Sequence, residues 1–270
     1  MKKIALITGA SSGIGYETAL DLKDRGFIVY GAARRLDRLN KLKDKGINIL
    51  ELDVTKEESM KNCVSEILKR EGRIDVLVNN AGYGSFGAVE DVTMEEARRQ
   101  IEVNIFGLAR MTQLVLPSMR KNKFGKIVNI SSMGGKMHTP FGAWYHGTKF
   151  AVEGFSDCLR MELKPFGIDV IIIEPGGIKT DWGIIAADNL RDSSKGGSYE
   201  NTAKEASEHM RDLYSGKKLT NPSVIARTIG KAVTVNKPKT RYLVGYGGKV
   251  GVMARRILSD RMFDKLIKKL

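Results

Sequence analysis

Cysteine is scarce in this 270-residue chain, which carries only Cys63 and Cys158. Two isolated thiols in helical stretches build neither a disulfide framework nor a thiolate metal site. A reducing compartment and a cytoplasmic location are therefore expected. Histidine is nearly as rare: His138, His146 and His209 show no ligand spacing with carboxylates or thiols, and no catalytic metal is expected. Long apolar runs are missing too, so nothing approaches the ~20 residues of a membrane span. The run after Met1-Lys2-Lys3 stops at Ile7 without a small-residue cleavage site. It reads as a first strand rather than a secretory start. Acidic residues are outnumbered, 31 against 45 Lys and Arg, for a formal charge of +14. That excess is spread over nearly every helical stretch, with no aromatic-interleaved stripe and no recognition-helix motif, which argues against a nucleic-acid partner. A solvated basic surface that steers anionic ligands is the simpler reading.

What the chain does have is an unbroken alternation of β-branched runs and helical stretches. Strands are expected at 4–8, 27–33, 47–52, 75–79, 126–131, 169–173 and 241–244. Helices between them imply right-handed crossovers. The expected fold is α/β, a Rossmann-type doubly wound seven-stranded parallel sheet with helices on both faces. No linker or internal repeat interrupts it, so residues 1–270 read as a single domain.

Ile4-Ala5-Leu6-Ile7 leads into Thr8-Gly9-Ala10-Ser11-Ser12-Gly13-Ile14-Gly15, a glycine-rich turn that opens a helix. Glycines there let backbone approach a pyrophosphate, and the helix N-terminus favours its charge. Ser132 follows the strand run Ile127-Val128-Asn129-Ile130 and so stands at a carboxyl edge, where open α/β sheets place ligands. Tyr145 and Lys149 are four residues apart and share one helix face. A phenol works as a proton donor and acceptor near neutrality only when a nearby cation favours its phenolate, and Lys149 is that cation.

Taken in order, Thr8 to Gly15, Asn79-Asn80-Ala81-Gly82, the serine strand and Tyr145-x-x-x-Lys149 make the chain similar to the short-chain dehydrogenase/reductase family over nearly its whole length. The resemblance implies that Tyr145 is the general acid/base. Lys149 would lower its pKa and hold the nicotinamide ribose, and Ser132 would orient the substrate carbonyl. Asn104 matches the helix asparagine through which the family runs a water chain to the lysine. Cofactor contacts implied by the same likeness are Gly9, Ser11, Ser12, Gly13, Ile14 and Gly15 at the phosphates, and Asp53 with Val54 at the adenine. Asn80, Ala81 and Gly82 would stand beside the adenosine ribose, with Asn80 also tying adjacent strands together. Pro175, Gly176, Ile178 and Thr180 would face the nicotinamide, where Tyr145 and Lys149 also touch it.

Ala33 occupies the position of the family's acidic residue and Arg34 follows it directly. A carboxylate would bind the 2′-hydroxyl of NAD, whereas a guanidinium clasps a 2′-phosphate. NADP(H) is therefore the expected cofactor, Arg35 assisting or pointing to solvent, and NAD(H) is the alternative. Ser12 departs from NADP-preferring members that carry a second basic residue in the glycine turn.

Residues 181–219 form a long polar stretch read as a substrate lid or mobile loop, with Trp182, Ile184, Ile185 and Tyr199 as the groups that could fold over a substrate. Gly84 to Phe86, Met133 and Met137 to Phe141 should line the pocket. This apolar set resembles the hydroxysteroid- and retinol-dehydrogenase-like branch and suggests a bulky lipophilic ketone or secondary alcohol. The alternatives are a 3-oxoacyl-carrier or general carbonyl reductase, and a non-catalytic dinucleotide sensor. The intact set Asn104, Ser132, Tyr145 and Lys149 argues for an enzyme. In the tail, 251–270, Met253, Ile257, Leu258, Met262, Phe263, Leu266, Ile267 and Leu270 make an apolar stripe opposite Arg255, Arg256, Arg261, Lys265, Lys268 and Lys269. Docking on the protein's own body or a sister subunit is expected, in a homodimer or homotetramer, with an anionic membrane surface as the alternative.

Overall fold

The computed structural model describes residues 2–268. Seven parallel strands form one sheet in the order β3-β2-β1-β4-β5-β6-β7. They are β1 Ile4–Thr8, β2 Ile28–Ala33, β3 Asn48–Glu51, β4 Val76–Asn79, β5 Gly125–Ile130, β6 Ile168–Pro175 and β7 Arg241–Val244. The helices are α1 Gly13–Asp24, α2 Leu36–Lys43, α3 Glu57–Glu71, α4 Met94–Ile101, α5 Leu108–Lys121, α6 Ala143–Leu163, α7 Trp182–Ser193, α8 Glu200–Ser215, α9 Pro222–Thr234, α10 Gly248–Ile257 and α11 Asp260–Ile267.

The two-residue side-chain period of a strand explains how one sheet carries two cores. On β1, Ala5 and Ile7 face a cluster with Leu22 of α1, Leu39 and Leu42 of α2, and Ile225 and Ile229 of α9. Ile4 and Leu6 face the other way, toward Val64 and Ile67 of α3, Val115 and Met119 of α5, and Leu159 and Leu163 of α6. β6 repeats the alternation, Ile171 and Ile173 on the first face, Ile168 and Val170 on the second. Strands buried on both faces read as continuous apolar runs, which is why they were visible in the sequence.

Strand order reverses between β1 and β4, which pair in parallel through Ala5↔Val76 and Ile7↔Val78. Crossovers leave β1 and β4 in opposite directions here, opening a crevice at the carboxyl ends of the strands. Asn79 and Asn129 stand opposite each other on β4 and β5. Asn79 donates to Asn129 at 2.9 Å and Asn129 donates to Ser156 at 2.9 Å, a buried polar ladder that fixes these strands and α6 just below the crevice.

Two stretches differ from expectation. Residues 181–219 are largely helical rather than a loop: α7 and α8 pack as a hairpin that buries Ala186, Ala187, Leu190 and Ala203. Small residues at helical spacing let the two helices approach, a weaker sequence signal than a run of large apolar groups. The tail is broken by an extended Leu258, so α10 and α11 are separate helices and the stripe is divided between them. Phe263 is fully buried and meets His138 edge-on with ring centroids 5.1 Å apart, whereas Met253, Ile257, Met262 and Leu266 are exposed. Leu270 of the expected stripe and Lys269 of its opposite face lie outside the described residues. No helix among the described residues is long and apolar enough to cross a membrane.

Candidate active site

Ser132 sits immediately past β5, extended at the start of a short turn, where its Oγ accepts the Gly134 amide at 3.0 Å. Tyr145 and Lys149 occupy one face of α6, as their spacing requires, and Lys149 Nζ lies 5.8 Å from the Tyr145 ring centroid. Lys149 Nζ donates to the Ile130 carbonyl at 2.9 Å, anchoring α6 to the end of β5. Removal from water pushes the phenol of Tyr145 above the ordinary tyrosine range, an effect that Ser132 opposes and neighbouring Tyr214 reinforces. Burial brings Lys149 down to about 8, with Glu153 pulling the other way. Burial is the largest influence on the phenol, while one N–H of the Lys149 ammonium is committed to a backbone carbonyl.

Asn104 belongs to a π-helical turn, Glu102–Gly107, between α4 and α5. Such turns insert one residue and re-aim a side chain, often at functional sites. Here the amide accepts the Tyr83 N–H at 3.1 Å and donates to the Tyr83 carbonyl at 2.9 Å and to Thr148 Oγ1 at 3.1 Å. Asn104 therefore holds the segment after Gly82 against α6, one residue from Lys149, rather than touching the lysine itself. Thr148 as its partner was missed in the sequence.

The crevice fits a dinucleotide. Gly9 and Gly13 have φ of +67° and +56°, which L side chains rarely adopt, and a Cβ on Gly15 would stand 2.5 Å from both Gly9 O and Asn80 Nδ2. Asn80 Nδ2 donates to the carbonyls of Thr8 and Gly9, and Thr8 Oγ1 accepts the amides of Asn80 and Ala81. Asn80, Ala81 and Gly82 are thereby pinned beside the glycine turn. Ser11 and the partly buried Ile14 complete the turn, and Ser12 precedes α1 without a side-chain cap, leaving the first helical amides to a phosphate.

Asp53 accepts the Thr55 amide at 3.0 Å and the Thr55 hydroxyl at 2.7 Å. Burial alone would raise its pKa, but these bonds and the charge of Arg34 hold it below the usual carboxylate value. Arg34 thus projects, exposed, beside the adenine end of the crevice, while Arg35 is the exposed residue that precedes α2. Val54 is buried under the π turn, its carbonyl 2.7 Å from where a Cβ on Gly107 would be.

At the other end, the turn from Pro175 is clamped by backbone bonds. The Gly176 amide donates to Val244 O at 2.9 Å, and the Gly177 amide to Tyr246 O at 2.8 Å. Flanking bonds with Thr220 hold Ile178, whose side chain joins the core. Thr180 reaches back to Gly13, its Cγ2 3.2 Å from a Cβ placed there, so the glycine turn and the Pro175 turn close on one space.

Aromatic rings enclose the phenol. Trp182 lies 5.0 Å and Phe86 5.4 Å from the Tyr145 ring, and Trp182 also meets Phe86 at 5.9 Å and Tyr214 at 6.1 Å. Phe141 meets Tyr199 edge-on at 6.2 Å, while Ile185 points to solvent. Ile184 is half-buried. Tyr214 escaped the sequence reading because it falls in the stretch taken for a loop. Met133 and Met137 are turned toward the tail, within 3.0 Å of a Cβ placed on Gly251.

A profile of the family described as short chain dehydrogenase matches residues 3–189. The 3-ketodihydrosphingosine reductase of Bacteroides thetaiotaomicron is 39% identical over 245 residues, covering 90% of this chain and 88% of that protein. The structure of a short-chain dehydrogenase from Streptomyces avermitilis superposes with a TM-score of 0.82 at 34% identity, over 100% of this chain and 97% of that one. The closed form of serine dehydrogenase complexed with NADP+ matches with a TM-score of 0.77 at 26% identity, over 90% and 94% of the two chains.

Proposed function

The chain belongs to the short-chain dehydrogenase/reductase family of oxidoreductases, and on that premise we propose that it is an NADP(H)-dependent enzyme interconverting a ketone and a secondary alcohol on a bulky lipophilic substrate. The observation that carries this reading is the enclosure of the Tyr145 phenol by Phe86, Trp182 and Tyr214, with Ser132 at its polar end. Apolar walls around a few convergent polar groups suit a large hydrophobic ligand with a single reacting oxygen. The 3-ketodihydrosphingosine named for the Bacteroides relative supports that class. Steroid- and retinoid-like molecules fall in it too.

NADP(H) is the cofactor of this reading, supported by exposed Arg34 after Ala33 and by the NADP+-bound neighbour. Gly9, Gly13 and Gly15 would cradle its pyrophosphate and Ile178 and Thr180 its nicotinamide. Bound there, it supplies or accepts the hydride. Ser132 and Tyr145 hydrogen-bond the substrate carbonyl oxygen and stabilise its developing negative charge. Tyr145 gives that oxygen its proton in reduction and takes one back in oxidation. Burial keeps the phenol protonated at neutral pH, as its donor role in the reductive direction requires. Lys149, with one N–H spent on Ile130, has further donors for the ribose hydroxyls. A nicotinamide-fluorescence screen over long-chain ketones, steroids, retinoids, acyl thioesters and small ketones, run with both cofactors, tests the reading. Turnover confined to small polar ketones, or equal use of NADH, would refute it.

A further inference from the structure

Behind the catalytic helix, two carboxyl groups face each other. Glu153 lies one helical turn beyond Lys149, and Glu174 stands on β6 directly before Pro175. Their side chains are only 5% and 6% exposed. The same two cations serve both. Lys136 Nζ is 2.8 Å from Glu153 Oε2 and 3.9 Å from Glu174 Oε1, and Arg241 Nε is 3.0 Å and 3.5 Å from those atoms. Arg241 also holds Asp157 at 2.5 Å, and Asp157 is shared with the more exposed Arg160. Lys149 completes the charged groups on this side of α6, its ammonium favoured by Glu153.

Each glutamate leaves its Oε1 buried without a hydrogen-bond partner. Two ionised carboxylates in that position repel at low dielectric, and two acceptors cannot satisfy each other. One proton between them removes both costs. Consistent with this, burial and then the charge of Glu153 push Glu174 up to about 7, against the pull of Lys136 and Arg241.

The cluster also joins segments that the chemistry needs aligned. Lys136 ends the turn that Ser132 begins. Gly135, just before it, packs so closely that a Cβ would stand 2.9 Å from Lys149 O and 3.0 Å from Glu153 Cγ. Glu153 belongs to the helix of Tyr145 and Lys149, Glu174 to the strand that ends in the Pro175 turn, and Arg241 to the edge strand beside it.

We propose that Glu153 and Glu174 hold one proton between them, and that this pair, with Lys136 and Arg241, is a positioning clamp that keeps the Ser132 turn, the Tyr145–Lys149 helix and the Pro175 turn in register. The clamp rests on the roles proposed above for Ser132, Tyr145 and Lys149; the shared proton does not. Neither glutamate touches the reacting atoms.

Glu174→Gln replaces the protonated acid by a neutral group of the same shape. Because the native Glu174 pKa is raised, the folded protein keeps a proton that the unfolded chain loses from about pH 4.3 upward. Wild-type stability should therefore fall as pH rises from there to about 7, where Glu174 ionises. Thermal unfolding across this range should show that decline in wild type and its loss in E174Q. Infrared difference spectra should show a protonated-carboxyl band in wild type below pH 7 that is absent from E174Q. These readouts need no substrate, so they stand even if the proposed reaction is wrong. With a substrate in hand, the ratio of kcat at low pH to kcat above pH 7 should be smaller in E174Q than in wild type. Glu174→Ala, which deletes the clamp, should lower kcat about tenfold with the cofactor KM within about threefold, since small misplacements of reacting groups cost that much. An identical pH-dependence of stability in both proteins, or no band, overturns the shared proton. Unchanged kcat in E174A alongside reduced stability overturns the positioning role.

Discussion

Trp182→Ala should open the aromatic cage around Tyr145 and thereby alter the acid–base behaviour of the phenol. Complete truncation of a core tryptophan costs about 3–5 kcal/mol. Trp182 is half-buried at the start of α7, touching Tyr145, Phe86 and Tyr214, so about 2–3 kcal/mol is expected. For a domain of this size that lowers Tm by about 4–12 °C. The second effect is chemical. Burial is the main cause of the raised Tyr145 pKa, and admitting water stabilises the phenolate, so the pKa must fall toward about 10. A fall of about one pH unit corresponds to about 1.4 kcal/mol recovered in solvation of the charged form. kcat/KM reports the free enzyme's groups. In the oxidative direction, where the phenolate is the base, its rising alkaline limb should move about one unit toward lower pH. In reduction, where the phenol is the acid, the falling limb should move the same way. Steady-state rates with a small alcohol and its ketone, followed by nicotinamide fluorescence, measure both. Trp182→Phe, which keeps a ring against Tyr145, should shift the limb less. If Trp182→Ala lowers Tm but leaves both limbs in place, burial by this residue is not what raises the phenol's pKa.

Other substitutions separate the remaining roles. Tyr145→Phe should reduce turnover by about 10²–10⁴-fold while cofactor binding, followed by fluorescence titration, changes little; activity within about threefold of wild type would sink the acid–base role. Arg34→Ala should weaken NADPH by about ten- to a hundredfold, the loss of a charge-assisted contact worth roughly 1.5–3 kcal/mol, and leave NADH nearly unaffected; the pair Ala33→Asp and Arg34→Ala should favour NADH outright. Phe263→Ala removes a fully buried ring that also receives Arg255 at 5.6 Å, and should cost about 3–5 kcal/mol in denaturant unfolding. A loss below about 1 kcal/mol there would mean that the tail is not docked in solution.

The sheet was legible because its central strands are buried on both faces and therefore read as apolar runs, while the half-buried edge strands β3 and β7 keep short apolar stretches; β1 and β7 match even to their ends. The cofactor turns were legible because glycine at φ of +67° or beside a 2.5 Å neighbour leaves no alternative residue. What stayed hidden depends on distant partners. Neither α7 nor α8 has a side-chain cap, and their buried residues are mostly small, Gly183, Ala186, Ala187, Ala203 and Ser207, so no local signal announced them. The break at Leu258 was masked by apolar spacing that runs evenly across it. Glu153, Glu174 and Arg241 look like ordinary charges on a helix and two strands; only folding brings residues 88 positions apart to within 3.0 Å. The phenol's raised pKa escaped for the same reason, since it is set by rings from three separate segments.

The π turn at Glu102–Gly107 has a consequence for how this part of the chain tolerates change in length. An α-helix advances about 100° per residue. Deleting one residue within the turn would restore a regular ladder from α4 into α5 and could even strengthen the helix locally. The wider turn absorbs its extra residue, so α4 and α5 would stay close to their present phase, with Met111, Val115 and Met119 still in the core. What would be lost is the re-aimed side chain, Asn104, and its bonds to Tyr83 and Thr148. Sequence drift can alter almost any exposed position on these helices, but a single-residue gap here would spare the core and cost the site.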